Sequence, residues 1–359
     1  MTSKTNIFLT GATGYLGGSV LQRLLSHSEA SSFEITVLVR NAEKAKLLET
    51  FGVKALLGSH SDLDKLETAA ASSDVVFTIA DCDDLPAAKA ILKGLRKRYA
   101  ETGKAPILIH TSGTGVLVDN AEGKYATDNL YSDRDSAKIE ALDSKQPHRW
   151  VDEVIAAAGD EGYVRTHIIL PSTIFGMASG PLFDKGISNP HSIEIPCMLA
   201  IGWHKRESGM VGPGKNVWPC VDIDDTADLY IIIFDKARKD ASVAHGRNGY
   251  YFAENGYYSH YELAQAIGQV LVDLGRATSA EPTPFTKEDL DKYFAGATFF
   301  GTNSYCKAER SRALGWKPVK GKQDFLDSVK PEAEALIKNG RINDAFKIRA
   351  VIERYADAY

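Results

Sequence analysis

Short apolar runs alternate with amphipathic stretches along the first half of the chain. Ile7-Phe8-Leu9 precedes the helical pattern Ser19-Val20-Leu21-Gln22-Arg23-Leu24-Leu25, and Phe33-Glu34-Ile35-Thr36-Val37-Leu38-Val39 reads as a second strand. Val53 to Gly58 reads as a third, followed by Ser61-Asp62-Leu63 and a helix to about Ala71. Asp74 to Ala80 is apolar almost throughout, as a strand covered on both faces should be. A helix from Pro86 to about Thr102 starts on its proline. Pro106 to His110 is the next strand, Val151 to Ala158 a helix, and Val164 to Leu170 a sixth strand. Strands spaced by helices of this length predict an α/β fold built on a doubly wound parallel sheet.

The turn after the first strand carries Thr10-Gly11-Ala12-Thr13-Gly14-Tyr15-Leu16-Gly17, with glycines at i, i+3 and i+6. A strand, a tight turn and a helix N-terminus leave backbone N–H groups, backed by the helix dipole, where a pyrophosphate can sit. An ordinary glycine-rich turn would explain the glycines alone. The strand before and the helix after them point to dinucleotide binding. The second strand ends at Arg40, with Lys44 and Lys46 beyond and no carboxylate for a ribose 2′-hydroxyl. An arginine there pairs with a 2′-phosphate, so NADP(H) is expected rather than NAD(H), against the alternative of a solvated loop cation.

The 359 residues suffice for one large α/β domain and a smaller second one, and 44% hydrophobic with 25% charged residues is ordinary for a globular protein. A net charge of −5 gives no reason to expect nucleic acid or an anionic membrane as partner. No apolar stretch has the length of a membrane span, and the N-terminus has no signal-peptide core. Cys82, Cys197, Cys220 and Cys306 lack ligand-like spacing, which reads as reduced thiols in a cytoplasmic protein with no metal.

Four segments in order carry a resemblance: the glycine turn; His110-Thr111-Ser112-Gly113; Leu170-Pro171-Ser172-Thr173-Ile174-Phe175-Gly176; and Trp218-Pro219-Cys220-Val221-Asp222-Ile223-Asp224-Asp225-Thr226-Ala227-Asp228. Together they resemble the extended short-chain dehydrogenase/reductase superfamily of epimerase/dehydratase type, most of all its atypical, NmrA-like fungal branch. The resemblance implies a Rossmann-type domain over residues 1–176 plus 221–255. A smaller, mostly helical substrate lobe would cover 177–220 plus 256–359. It implies cofactor contacts at Gly11, Thr13, Gly14, Tyr15, Leu16, Arg40, Lys44, Asp62, Leu63, Ala80, Asp81, Thr111, Pro171, Ser172, Thr173 and Ile174. Trp203, His204, Met210 and Trp218 are expected to shape a small-molecule pocket. The last helices, Phe325 to Ile337 and Ile342 to Tyr355, could cover the lobe or mediate a homodimer, core packing being preferred.

One departure from the family is decisive. Its enzymes use a Tyr-x-x-x-Lys pair, and no tyrosine here has lysine four residues on. Where the family's Pro-Tyr-x-x-x-Lys would begin, the chain reads Pro147-His148-Arg149-Trp150-Val151-Asp152. Helical spacing would put His148 and Asp152 on one face. In one reading a reductase of carbonyl or imine groups survives: Ser112 donates to the substrate, His148 is the acid held protonated by Asp152, and Tyr131 reaches the nicotinamide edge. In the other, turnover is lost and the chain is an NADP(H)-binding redox sensor acting on a protein partner. Sugar-nucleotide epimerisation fits less well, needing the absent base twice. The runs Asp81-Cys82-Asp83-Asp84 and Asp222-Ile223-Asp224-Asp225 read as helix caps, not metal sites.

Overall fold

The structure, a computed structural model, describes residues 4–343. Its elements in chain order begin β1 (Thr5–Thr10), α1 (Tyr15–Leu25), β2 (Phe33–Val39), α2 (Ala42–Glu49), β3 (Lys54–Leu57) and α3 (Leu63–Ala71). Next come β4 (Val75–Thr78), α4 (Leu85–Thr102), β5 (Ile107–Thr111), β6 (Tyr131–Ser132), α5 (Ser136–Glu140), α6 (Arg149–Asp160), β7 (Arg165–Pro171) and β8 (Thr173–Phe175). Then follow α7 (Pro181–Asp184), α8 (Glu194–Lys205), β9 (Gly209–Met210), β10 (Val217–Asp222), α9 (Ile223–Lys239), β11 (Tyr250–Ala253) and β12 (Tyr257–Ser259). The described chain ends with α10 (His260–Asp273), β13 (Thr283–Pro284), α11 (Lys287–Phe294), β14 (Cys306–Lys307), α12 (Glu309–Ala313), α13 (Lys322–Asp327) and α14 (Val329–Lys338).

Seven strands form one sheet in the order β11-β7-β5-β4-β1-β2-β3, every pair parallel. This is the doubly wound α/β architecture expected. Strand order reverses between β1 and β4, and in such sheets the ligand crevice opens beyond the carboxyl ends of the strands at that point. Phe8, Leu9, Val76, Phe77, Ile109 and Ile168 to Leu170 are buried in the main core, as strands covered on both faces require. The cover at α9 is tied to α1 where Arg23 bonds Asp224 and Asp228. Asp222 caps α9 by accepting from Asp224 N and Asp225 N, and Asp84 caps α4 by accepting from Ala87 N, as both acidic runs were expected to do.

A second sheet, β12-β10-β8, leads into the lobe, whose own core gathers Phe175, Ile195, Leu199, Trp218, Tyr258, Phe294 and Phe325. Helix α8 lies within a stretch, Met177 to about Asn216, that is rich in Gly, Ser and Pro. Its Pro196 falls in the first turn, where no intrahelical N–H is required. Phe325, Val329, Ala333 and Leu336 are buried, so α13 and α14 serve the core. The helix expected from Ile342 to Tyr355 lies almost wholly outside the described residues. Of the residues expected to shape a pocket, Trp218 and Met210 are buried, with Trp218 Nε1 donating to Thr302 O, Trp203 is half-buried with Arg276 4.9 Å over its ring, and His204 is exposed beside the Tyr293 hydroxyl.

Candidate active site

The glycine turn is built for close approach. At Gly17 a Cβ would lie 2.2 Å from Gly11 O, and at Gly11, where φ is +88°, it would lie 2.9 Å from Ala80 N. Only glycine lets α1 start this near β1 and β4. Gly14 is the N-cap and contributes no side-chain acceptor, so the first-turn N–H groups keep their capacity for an anion. A cleft of about 450 Å³ opens beside the turn, lined by Gly11, Thr13, Leu38, Val39, Arg40, Gly58, Ser59, His60, Ser61, Ala80, Asp81 and Asp84. Five expected contacts (Gly11, Thr13, Arg40, Ala80, Asp81) are on that wall. Arg40 is exposed and makes no side-chain hydrogen bond or ion pair among the described residues. These features fit an adenosine diphosphate moiety.

Other expected contacts do different work. The Tyr15 hydroxyl donates to Gly176 O, and Leu16 is buried in the core. Asp62 accepts from Ser59 N and Oγ, which shapes the wall from behind, while Leu63 opens α3 on the surface. Lys44 Nζ donates to Ile187 O at 2.6 Å, across the turn. The same crossing segment places Ser188 Oγ on Ala12 O (2.8 Å) and Asn189 N on Thr13 O (3.1 Å). Thr111 Oγ1 meets Tyr230 OH beneath the sheet end, and Ser172 Oγ donates to Ala253 O. Thr173 donates to Glu194, a carboxyl pushed up to about 7 by burial against the hydrogen bonds of Thr173 and Tyr258. Ile174 packs against the main core.

At the ends of β4 and β5 two polar clusters stand side by side. In the first, Ser112 Oγ donates to Asp152 Oδ2 at 2.7 Å, and both residues are buried, Asp152 at 1% exposure. Burial pushes Asp152 up to about 7, although the Ser112 hydrogen bond and the charge of His148 work the other way. His110 Nε2 lies 3.8 Å from the other Asp152 oxygen, and its Nδ1 meets Thr78 Oγ1. Burial drops His110 to about 3, so it is neutral. In the second cluster His148 Nδ1 is 2.8 Å from Asp83 Oδ1 and 3.2 Å from Cys82 Sγ. Burial opposes the imidazolium, yet Cys82 and Asp83 hold His148 well above its ordinary value.

These positions correct the pairing expected from helical spacing. His148 is the N-cap of α6 with φ +68°, outside the helix proper, so it turns to the loop after β4 and its carboxylate partner is Asp83. Asp152 instead faces Ser112, whose hydroxyl proton is directed to that carboxylate and not toward a substrate. Tyr131 accepts from Asn129 Nδ2, and Lys138 Nζ lies 4.3 Å over its ring; both partners belong to its own insertion. In sequence Cys82 and Asp83 read as part of a helix-capping run, and Asp84 of that run does cap α4, but Cys82 and Asp83 themselves meet His148.

Residues 11–144 match a family model described as NAD(P)H-binding. Oxidase ucsJ from Acremonium sp is 31% identical over 338 residues, covering 89% of this chain and 94% of that protein. The fold matches the PbgP3 protein from Burkholderia pseudomallei with a TM-score of 0.65 at 16% identity, over 95% of this chain and 99% of that one. It also matches a dTDP-glucose 4,6-dehydratase from Bacillus anthracis in complex with NAD, with the same TM-score and coverage at 15% identity. The 31% identity over most of both chains places this chain in one family with the Acremonium oxidase, with an NAD(P)H-binding domain in its N-terminal part and the fold of the Burkholderia and Bacillus proteins.

Proposed function

We propose that this protein is an NADPH-dependent reductase of a small-molecule carbonyl or imine that works without the Tyr-x-x-x-Lys pair. The observation that carries the cofactor choice is Arg40, a cation on the cleft wall with no other side-chain partner among the described residues, at a strand end that has no carboxylate. The dihydronicotinamide, when bound, supplies hydride to the carbon of the C=O or C=N bond, whose electron pair moves to the heteroatom and takes a proton. The chain's part is to bind and orient through the glycine turn and to polarise that heteroatom. For the latter His148 stands at the family's tyrosine position, its side chain 17% exposed, while Ser112 and Asp152 are sealed against each other. All four cysteines are free thiols, which suits a reducing cytoplasm.

The test follows reduced-nicotinamide absorbance when purified protein meets NADPH or NADH and a panel of ketones, aldehydes and cyclic imines. Protein-dependent NADPH oxidation with one substrate class supports the reading. A second reading, a redox sensor without turnover, is favoured by one feature: a buried carboxyl stands where the family's lysine would be. Tight NADPH binding with no oxidation across the panel would replace the reductase by the sensor.

A further inference from the structure

We infer that Cys82, Asp83 and His148 form a binding site for a divalent transition metal, zinc by its donor set, at the edge of the dinucleotide cleft. The thiol, the carboxylate and the imidazole each offer one ligand atom, and these atoms all lie within 4.8 Å of one another. Their arrangement separates a metal tripod from a proton relay. A relay places a carboxylate on one ring nitrogen and a thiol on the other. Here both meet the same nitrogen, Nδ1, at 2.8 Å and 3.2 Å. The other nitrogen, Nε2, lies over the Gly113–Gly115 backbone, 3.2 Å and 3.3 Å from where a Cβ at either glycine would stand. Three donors thus converge on one point. An ion there needs about 2.3 Å to sulfur and about 2.0–2.2 Å to nitrogen and oxygen, so opening the present contacts by roughly half an ångström seats it.

The backbone holds the tripod from both sides. Cys82 and Asp83 are adjacent in the short loop between β4 and α4, and Trp150 Nε1 donates to Asp83 O. His148 keeps a positive φ of 68°, a conformation that persists in a non-glycine residue where surrounding structure dictates it, often at functional sites. Asp81 and Asp84, on either side of the pair, line the dinucleotide cleft, so the tripod borders it. Thiolate, imidazole and carboxylate in a three-ligand set select zinc over magnesium or calcium and leave a fourth position for water or substrate. The cysteine spacing concealed the site because its third ligand is 65 residues away from Asp83. The catalytic consequence rests on the reductase reading: a zinc ion polarises the C=O or C=N bond as a Lewis acid, and His148 is then a ligand and not the acid.

The test strips the full-length protein with a chelator, titrates it with cobalt(II) and separately measures zinc in protein purified without chelator. Expected are zinc near one equivalent and a near-ultraviolet sulfur-to-cobalt charge-transfer band that saturates at one equivalent. Cys82→Ser should abolish the band, and Asp83→Asn should weaken cobalt binding by at least the roughly 10–100-fold that loss of a mere orienting partner costs. NADPH binding by both variants establishes that they are folded. No zinc and no band in folded, NADPH-binding protein would overturn the site, as would a band that survives Cys82→Ser. Metal bound without NADPH oxidation on any substrate leaves the site standing and removes the reductase; undiminished oxidation by metal-free protein leaves both standing and overturns the zinc's part in the reaction.

Discussion

The Ser112–Asp152 cluster and the Cys82–Asp83–His148 cluster are neighbours at the carboxyl ends of β4 and β5, and each contains a carboxylate, yet they are in opposite states. Asp152 is sealed under the sheet end, its one strong partner is a hydroxyl, and burial drives it toward the neutral acid. Asp83 meets an imidazole that a thiol also meets, at a corner that solvent still reaches. The difference comes from one backbone dihedral. Four residues along an α-helix would bring His148 over Asp152. The left-handed φ at His148 places that residue before the helix, and its ring swings to the loop after β4. Position in a motif is therefore a poor guide to role where the motif straddles a helix start.

The largest expected effect comes from the open cluster. His148→Ala should lower kcat by about 10²–10⁴ while leaving the NADPH dissociation constant near its starting value, read by steady-state rates and fluorescence titration. Equal losses in both would mean that the open corner serves binding and that the contrast with Asp152 is misplaced.

Next is the sealed cluster, where the effect should be on stability. Asp152 ionises more weakly in the fold than its ordinary value of 3.8, so its favourable contribution is complete below about that pH and is lost as pH rises through about 7. Asp152→Asn keeps an acceptor for Ser112 and removes the ionisation. Its stability advantage over the parent should grow from near zero at about pH 4 to roughly 1–4 kcal/mol at about pH 8 in denaturant melts. A difference that does not change with pH would show Asp152 to be less sealed than its burial indicates.

Three smaller effects sharpen the comparison. Arg40→Ala should raise KM for NADPH by about 10–100-fold, the worth of a charged hydrogen bond, with little change for NADH. His148→Gly should be more stable than His148→Ala by about 0.5–1 kcal/mol, since both lose the ring and only alanine keeps the strained φ. Smallest is Tyr131→Phe, whose hydroxyl faces Asn129; activity should stay within about a factor of two.

The parts of this molecule that were legible from sequence are those where one local rule acts alone. The strands of the parallel sheet stand out as apolar runs, the glycine turn as a backbone requirement, and Asp84 and Asp222 as caps just before their helices. The place of Arg40 on the cleft wall was legible because it ends the strand next to the one that leads into the glycine turn. What escaped was decided by contacts between distant segments. Trp218 and Met210 look like pocket aromatics and apolars in sequence, but β10 carries Trp218 into the lobe core and Met210 is buried on β9. Helix α8 was hidden by its proline and by the lack of a capping side chain at Ile193. Cys82 and Asp83 meet His148 only because β4 and α6 share one end of the sheet.

The segment that crosses the glycine turn bears on how the chain folds as well as on what it binds. The carbonyls of Ala12 and Thr13 find their partners at Ser188 and Asn189, 176 positions later. Contacts of such sequence separation form late, because the intervening loop must close before they reward it. A nascent chain that has released only β1 through β5 therefore has its nucleotide turn in outline but not yet clamped. The turn becomes rigid, and able to hold a dinucleotide without a further ordering cost, only when the approach to α8 has left the ribosome.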